Sequence, residues 1–141
     1  MRNLIIGCAS NYDWSTLQYW CNSINQSGFD GDKVLVLMNC DNTTVLKVQE
    51  EGFKIIAFNK DAEGNLTHDS KMPPHVERFL HIYEYLRKTD PYDWVVTTDV
   101  KDVSFQSDPC EALSEMNLDS DLYFSSESIL YKDEPWGNQN L

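Results

Sequence analysis

No stretch of this chain approaches the roughly 20 consecutive apolar residues that a membrane-crossing helix requires. The opening MRNLIIGCAS has only a short apolar core and runs straight into polar NYDW, so it reads as a first strand and not as a secretion signal. That pattern points to the cytoplasm. Paired cysteines are missing as well. Cys8, Cys21, Cys40 and Cys110 are widely scattered with no CxxC, which gives a zinc site no supporting spacing and favours free buried thiols in a reducing compartment. The N-x-S/T sequons at Asn25, Asn42 and Asn65 carry no meaning without secretion. Positive charge is scarce: 11 Lys and Arg face 23 Asp and Glu, for a net charge of −12. The deficit is −4 over residues 1–70 and −8 over residues 71–141. A nucleic-acid backbone or an anionic membrane surface would repel such a chain. A cation, and through it a phosphate, would not. There is no internal repeat, linker or low-complexity segment.

The 141 residues, 41% hydrophobic and 12% aromatic, suit one folded domain with one core. Short apolar runs at 3–7, 32–39, 53–59 and 93–99 read as buried strands, and SDLYFSSE (120–127) as a fifth. Between them, helical spacing of Leu17, Trp20, Cys21 and Ile24 follows a cap at Asp13 or Ser15 and stops at Gly28. A short helix fits Thr43 to Glu51, with Gly52 as its stop. Residues 60–72 read as a polar loop. Pro73-Pro74 opens the longest helix, PPHVERFLHIYEYLRK, on which Val76, Phe79, Leu80, Tyr83 and Leu86 form an apolar stripe. Pro109 starts another short helix, with Asp108 as its cap. This order predicts an α/β protein with a mostly parallel, Rossmann-like sheet and helices on both faces. The tail ILYKDEPWGNQNL supplies no closing element, which suggests a partial domain.

Ligands of open parallel sheets bind at the carboxyl ends of the strands. There the chain places Ala9, Ser10, Asn11 and Tyr12 after strand one, Asp41 after strand two, and Thr98, Asp99, Lys101 and Asp102 after strand four. Hard oxygen donors such as Asp99 and Asp102 suit Mg²⁺ or Mn²⁺, which bind one or two carboxylates plus the phosphates of a ligand. The alternative is a turn in which a carboxylate caps backbone amides. His68, His75 and His81 do not read as a ligand set, since His68 lies in the polar loop and His81 among core positions. Trp94, Tyr83, Phe105 and Trp136 read as core aromatics, Trp136 being also suited to an acceptor groove.

Residues 95–109, VVTTDVKDVSFQSDP, resemble the metal-binding segment of GT-A glycosyltransferases, in which an apolar strand ends in a DxD-type motif. More narrowly, D-V-x-D-V-x-F-Q-x-D-P is similar to a group of sugar transferases of plants, algae, bacteria and large DNA viruses. The resemblance implies a nucleotide-diphosphate sugar donor over the strands, Mn²⁺ or Mg²⁺ bridging its diphosphate to the motif, and transfer of the sugar to a hydroxyl acceptor on a glycan, protein or small molecule. Asp99 matches the first Asp of the motif. Lys101 stands at its third position, a departure that makes Asp102 the second ligand in a D-x-x-D version. Arg78, on the helix before this strand, matches a basic residue that approaches the donor, unless it simply pairs with Glu77 or Glu84. Ala9, Ser10, Asn11 and Tyr12 match the nucleotide-side loop, Tyr12 either stacking on a base or serving as a plain surface or core aromatic, and Asp41 either meets a ribose or base or is only a turn residue. On this reading residues 1–141 are a single nucleotide-sugar-binding domain lacking its acceptor part. The alternatives are a non-catalytic binding fragment and a Mg²⁺-dependent phosphohydrolase, whose nucleophile pattern DVKDV does not fit.

Overall fold

The computed structural model describes residues 1–125 and 129–140. In chain order its elements are β1 (Asn3–Ser10), α1 (Trp14–Gln26), β2 (Asp32–Met38), α2 (Asn42–Glu50), β3 (Lys54–Ile56), β4 (Asn59–Lys60), β5 (Leu66–Thr67), α3 (Pro74–Leu86), β6 (Trp94–Thr97) and α4 (Pro109–Glu115). A 3-10 turn over Tyr131–Asp133 and α5 (Pro135–Gln139) follow. Four strands make an all-parallel sheet in the order β3-β2-β1-β6. No helix among the described residues is long and apolar enough to cross a membrane.

The strands run apolar without a break because both faces of the sheet are covered. On one face Ile5, Ala9, Leu35 and Leu37 pack with Leu17, Trp20 and Ile24 of α1, Val45 and Val48 of α2, and Cys110 of α4. On the other, Leu4, Ile6, Val34 and Val36 meet Ile82 of α3, flanked by half-buried Tyr85 and Leu86. Full burial of such a side chain is worth about 1.5–3 kcal/mol, so these two layers hold the sheet together. Helix starts are set by acids: Asp13 accepts from the Thr16 amide (3.3 Å), Asp41 from Thr44 (2.8 Å) and Asp108 from Cys110 (2.8 Å). Gly28 and Gly52 follow α1 and α2 at φ +85° and +86°, a region that glycine enters without strain. All four cysteines are free thiols.

Several expectations need correction. The fifth strand does not form over residues 120–125, and its last two residues lie outside the described ones. Leu122 and Phe124 are exposed there with no sheet edge against them. Residues 60–72 are not simply a loop, since β4 and β5 pair as a short antiparallel hairpin. The apolar stripe of α3 faces outward: Val76, Phe79, Leu80 and Tyr83 are 47%, 57%, 49% and 60% exposed, whereas Glu77 and Ile82 are buried. Tyr83 and the exposed Trp136 are therefore not core residues, while Trp94 and Phe105 do pack against the core.

Candidate functional site

The parallel register brings the ends of β1 and β2 side by side, Ser10 opposite Met38. Just beyond, the chain turns through Asn11 (φ 62°) and Asn39 (φ 52°), a left-handed conformation that asparagine tolerates better than most residues. The Asn11 amide donates to the Met38 carbonyl at 3.0 Å and locks the two turns together. The β4–β5 hairpin is pinned to the same edge. Leu66 donates to the Cys40 carbonyl at 2.7 Å, Asn42 donates to Asn65 Oδ1 at 2.9 Å, and His68 donates to Asn39 Oδ1 at 2.9 Å.

From β6 the chain passes through Thr98 into the Asp99–Asp102 loop, which is fixed from inside. Val100 is buried against Gly7, whose missing side chain makes the space. Trp20 Nε1 donates to Thr98 Oγ1 at 3.0 Å, and the Thr98 hydroxyl in turn reaches the Asp99 carbonyl at 2.9 Å. Further on, Phe105 packs edge-on against Trp20 at 6.3 Å, its amide donating to Ser23 Oγ at 3.0 Å. With Val100 held inward, Asp99, Lys101 and Asp102 are exposed.

These elements enclose a cleft of about 370 Å³ at the carboxyl edge of the sheet. It is lined by Ser10, Asn11 and Tyr12 from the first loop, by Arg78 from α3, and by Asp99, Lys101 and Asp102 from the loop after β6. A second hollow adjoins it, sharing Asn11 and Tyr12 and reaching Asp41. Arg78 pairs with Asp99 through Nη1 and Oδ1, and not with Glu77 or Glu84. Its side chain is 29% exposed and that of Asp99 66%. Such a pair contributes about 0–1 kcal/mol in water, so a ligand with its own charges can displace it at little cost. Glu84 is instead held by Arg87 at 3.0 Å and Lys88 at 3.5 Å.

Most of the residues expected at a site are thus brought together: Ser10, Asn11, Tyr12, Arg78, Asp99 and Asp102 share the cleft, with Asp41 next door. Two are not. Ala9 is buried in the core cluster on the α1 side of the sheet, and the Thr98 hydroxyl is occupied by Trp20 and its own loop. Asp41 also caps α2. Cys8 and His75 line the cleft without having been anticipated. His75 lies three residues before Arg78, the spacing that puts two helical side chains on one face, and that was its available signal. Cys8 is not a reactive thiol: burial pushes its pKa up to about 12, against the opposing pull of the Arg78 charge.

Two of the three histidines lie closer together than their sequence positions suggested, while His75 stays apart from them. Beside the cleft, His68 and His81 converge on buried Glu77, with one ligand-capable atom from each of the three residues within 4.8 Å of the others. Burial alone would raise the Glu77 pKa, but hydrogen bonds from His68 and Ser70 and the electrostatic pull of the neighbouring His68 and His81 hold the carboxyl below the usual carboxylate range.

No family model, no curated protein and no solved structure matches this chain. Its chemistry has to be argued from its own residues. Asp99 and Asp102 present carboxylate oxygens to the cleft, the donor type that Mg²⁺ and Mn²⁺ take alongside ligand phosphates, so the donor set fits such an ion. Arg78 and Lys101 bring two permanent positive charges to the same space. Together these residues put two carboxylates and two basic side chains on one cleft.

Proposed function

We propose that this chain binds a nucleotide-diphosphate sugar across the carboxyl edge of its parallel sheet and acts as a glycosyltransferase of the GT-A type, passing the sugar to a hydroxyl acceptor. The observation that carries the reading is the convergence of Arg78, Asp99, Lys101 and Asp102 on one cleft beside the Ser10–Tyr12 turn. Either half of the charge set alone would be an ordinary surface. Acids and bases facing one space, at the edge where α/β sheets hold ligands, are what a metal-bridged diphosphate requires.

Each residue then has a role. The Ser10–Tyr12 turn and Asp41 receive the nucleoside, with the Tyr12 ring available to stack on the base. Arg78 leaves Asp99 for a phosphate oxygen, which it can grip through two N–H groups at once, and Lys101 adds a point charge. Asp99 and Asp102 hold Mn²⁺ or Mg²⁺, which when bound supplies Lewis-acid stabilisation of the departing nucleotide diphosphate. Arg78 and Lys101 oppose the same growing negative charge from fixed positions, and a group already oriented before reaction does so without reorganisation.

Calorimetric titration of UDP and GDP, then of their sugars, tests this, with and without Mn²⁺, on the native chain, Asp99→Asn and Arg78→Ala. Asp99 is 66% exposed, so Asp99→Asn should change stability by less than about 1 kcal/mol, while circular dichroism checks the fold of Arg78→Ala, whose side chain is only 29% exposed. Binding is expected to need Mn²⁺ and to weaken at least about tenfold in each variant, a loss of 1.4 kcal/mol or more. If the folded native chain takes up none of these nucleotides with or without metal, the diphosphate reading fails and Asp99 is a turn residue. Slow release of free sugar from the bound donor is the readout for transfer chemistry.

A further inference from the structure

His68, Glu77 and His81 form a second cluster of ligand-type side chains, which the cleft chemistry does not use. Glu77 and His81 are four residues apart on α3 and so share one face. His68 comes from the other side, on the residue directly after β5, where Asn39 fixes its backbone. Its Nε2 lies 2.8 Å from Glu77 Oε1, and His81 Nε2 lies 3.2 Å from the same oxygen. The three side chains are only 14%, 7% and 11% exposed. The Phe58 ring covers both imidazoles, with centroids 4.6 Å from His68 and 4.2 Å from His81.

A purely structural cluster would satisfy its polar atoms. This one does not. His68 Nδ1 is buried without a hydrogen-bond partner, and so is His81 Nε2, which is near Glu77 but not aligned to bond it. Two imidazoles and a carboxylate, nearly buried and crowded on one carboxylate oxygen, are the donor set of a three-ligand transition-metal site. The geometry points to a Zn²⁺-class ion held by His68, Glu77 and His81, tying the β4–β5 hairpin to α3. Tetrahedral bonds of roughly 2.0–2.1 Å put ligand atoms about 3.3 Å apart. The three atoms here, all within 4.8 Å of one another, reach that arrangement by small side-chain rotations. Imidazole nitrogen selects Zn²⁺, Co²⁺ or Ni²⁺ over the Mg²⁺ and Mn²⁺ suited to Asp99 and Asp102. The two sites would therefore differ in the metals they take.

The ion would serve the cleft indirectly. Glu77 is followed by Arg78, and His75, one turn earlier, lines the cleft wall. Fixing Glu77 and His81 to the hairpin fixes the stretch of α3 that presents both. His68, Glu77 and His81 are positioning residues in this role.

The test uses the whole chain, free of any polyhistidine tag and stripped with chelator, titrated with Zn²⁺ by calorimetry and with Co²⁺ by visible absorption. One Zn²⁺ per chain, a raised melting temperature and intense Co²⁺ bands of low coordination number are expected. His68→Gln, Glu77→Gln and His81→Gln should each weaken Zn²⁺ at least about tenfold, whereas Asp99→Asn and Cys110→Ser should leave stoichiometry and affinity unchanged. His68→Gln lies outside α3 and keeps the test valid if the helix variants fold poorly, which circular dichroism reads. A folded native chain that binds no Zn²⁺, or a His68→Gln/His81→Gln chain that binds it as well as the native one, overturns the proposal. A loss confined to Asp99→Asn does so too, by placing the ion in the cleft. Nucleotide titrations with Mn²⁺ stand or fall separately.

Discussion

Gly7→Ala puts the packing beneath the cleft to a quantitative test. A Cβ at Gly7 would lie 2.6 Å from Val100 Cγ1, 3.0 Å from Trp20 Cζ2 and 3.1 Å from Trp20 Cη2. Carbon atoms rest at about 3.5–4.0 Å, so one neighbour must retreat by about 1 Å. Trp20 is poorly placed to do so, being bonded to Thr98 at 3.0 Å and packed against Phe53 at 5.6 Å. Val100 must move, and with it the backbone between Asp99 and Asp102. Overpacking of this kind costs about 1–3 kcal/mol. Urea unfolding of Gly7→Ala should show a lower midpoint with an unchanged slope. Val100→Ala alone removes two buried methyl groups and costs roughly 1.5–3 kcal/mol, yet it vacates the space that the new methyl needs. The double variant should then be more stable than the sum of the single losses predicts by about 1 kcal/mol or more. Additivity within about 0.5 kcal/mol would refute the argument that Gly7 seats the loop through Val100.

Two further outcomes follow from single groups. Burial raises Cys8 and Cys21 to about 12 and Cys110 to about 11 from 9.0, so each thiol favours the folded state only while protonated. Stability from these groups is intact below about pH 9 and falls as pH climbs through 9 to 12, by up to roughly 1.4 kcal/mol per pH unit per thiol. Urea midpoints at about pH 7.5, 9 and 10.5 read the decline, and Cys21→Ala should flatten it; a midpoint constant to pH 10.5 would contradict the burial. Asp41→Ala removes the α2 cap and should cost about 0.5–2 kcal/mol, with Asp41→Asn restoring most of it. If Asp41 also meets the nucleoside, Asp41→Asn will weaken binding at nearly native stability, a separation that a cap alone does not give.

The sheet was legible because parallel strands are buried on both faces and so run apolar without interruption, as at Leu4–Ile6 and Val34–Met38. The caps Asp13 and Asp108 were legible because short acids before a helix have a defined local partner, whereas the cap that Asp41 makes for α2 was not read. What failed was orientation. Helix α3 carries two candidate inner faces, one through 76, 79, 80 and 83 and one through 77, 78, 81, 82 and 85, and hydrophobicity favours the first. The second is taken because Ile82 and Tyr85 meet β1 and β2 while Glu77 and His81 turn toward His68, which bonds Glu77 at 2.8 Å. That partnership depends on where the hairpin docks, which local periodicity does not encode. The spacing H-x8-E-x3-H was the available signal. In the cleft, oxygen chemistry and position after a strand singled out Asp99 and Asp102, which do line it, but the direct Arg78–Asp99 pair is a tertiary fact.

Strand β6 has β1 on one side and, among the described residues, no strand on the other. Its outer row of amides and carbonyls is a ready template for an extended peptide, by the pairing that sheet edges offer any chain of suitable register. Such a guest would lie beside Thr97 and run toward Asp99. Pairing at this edge would stiffen the run of backbone from Thr97 to the Asp99–Asp102 loop, and so would reach the cleft without touching its side chains.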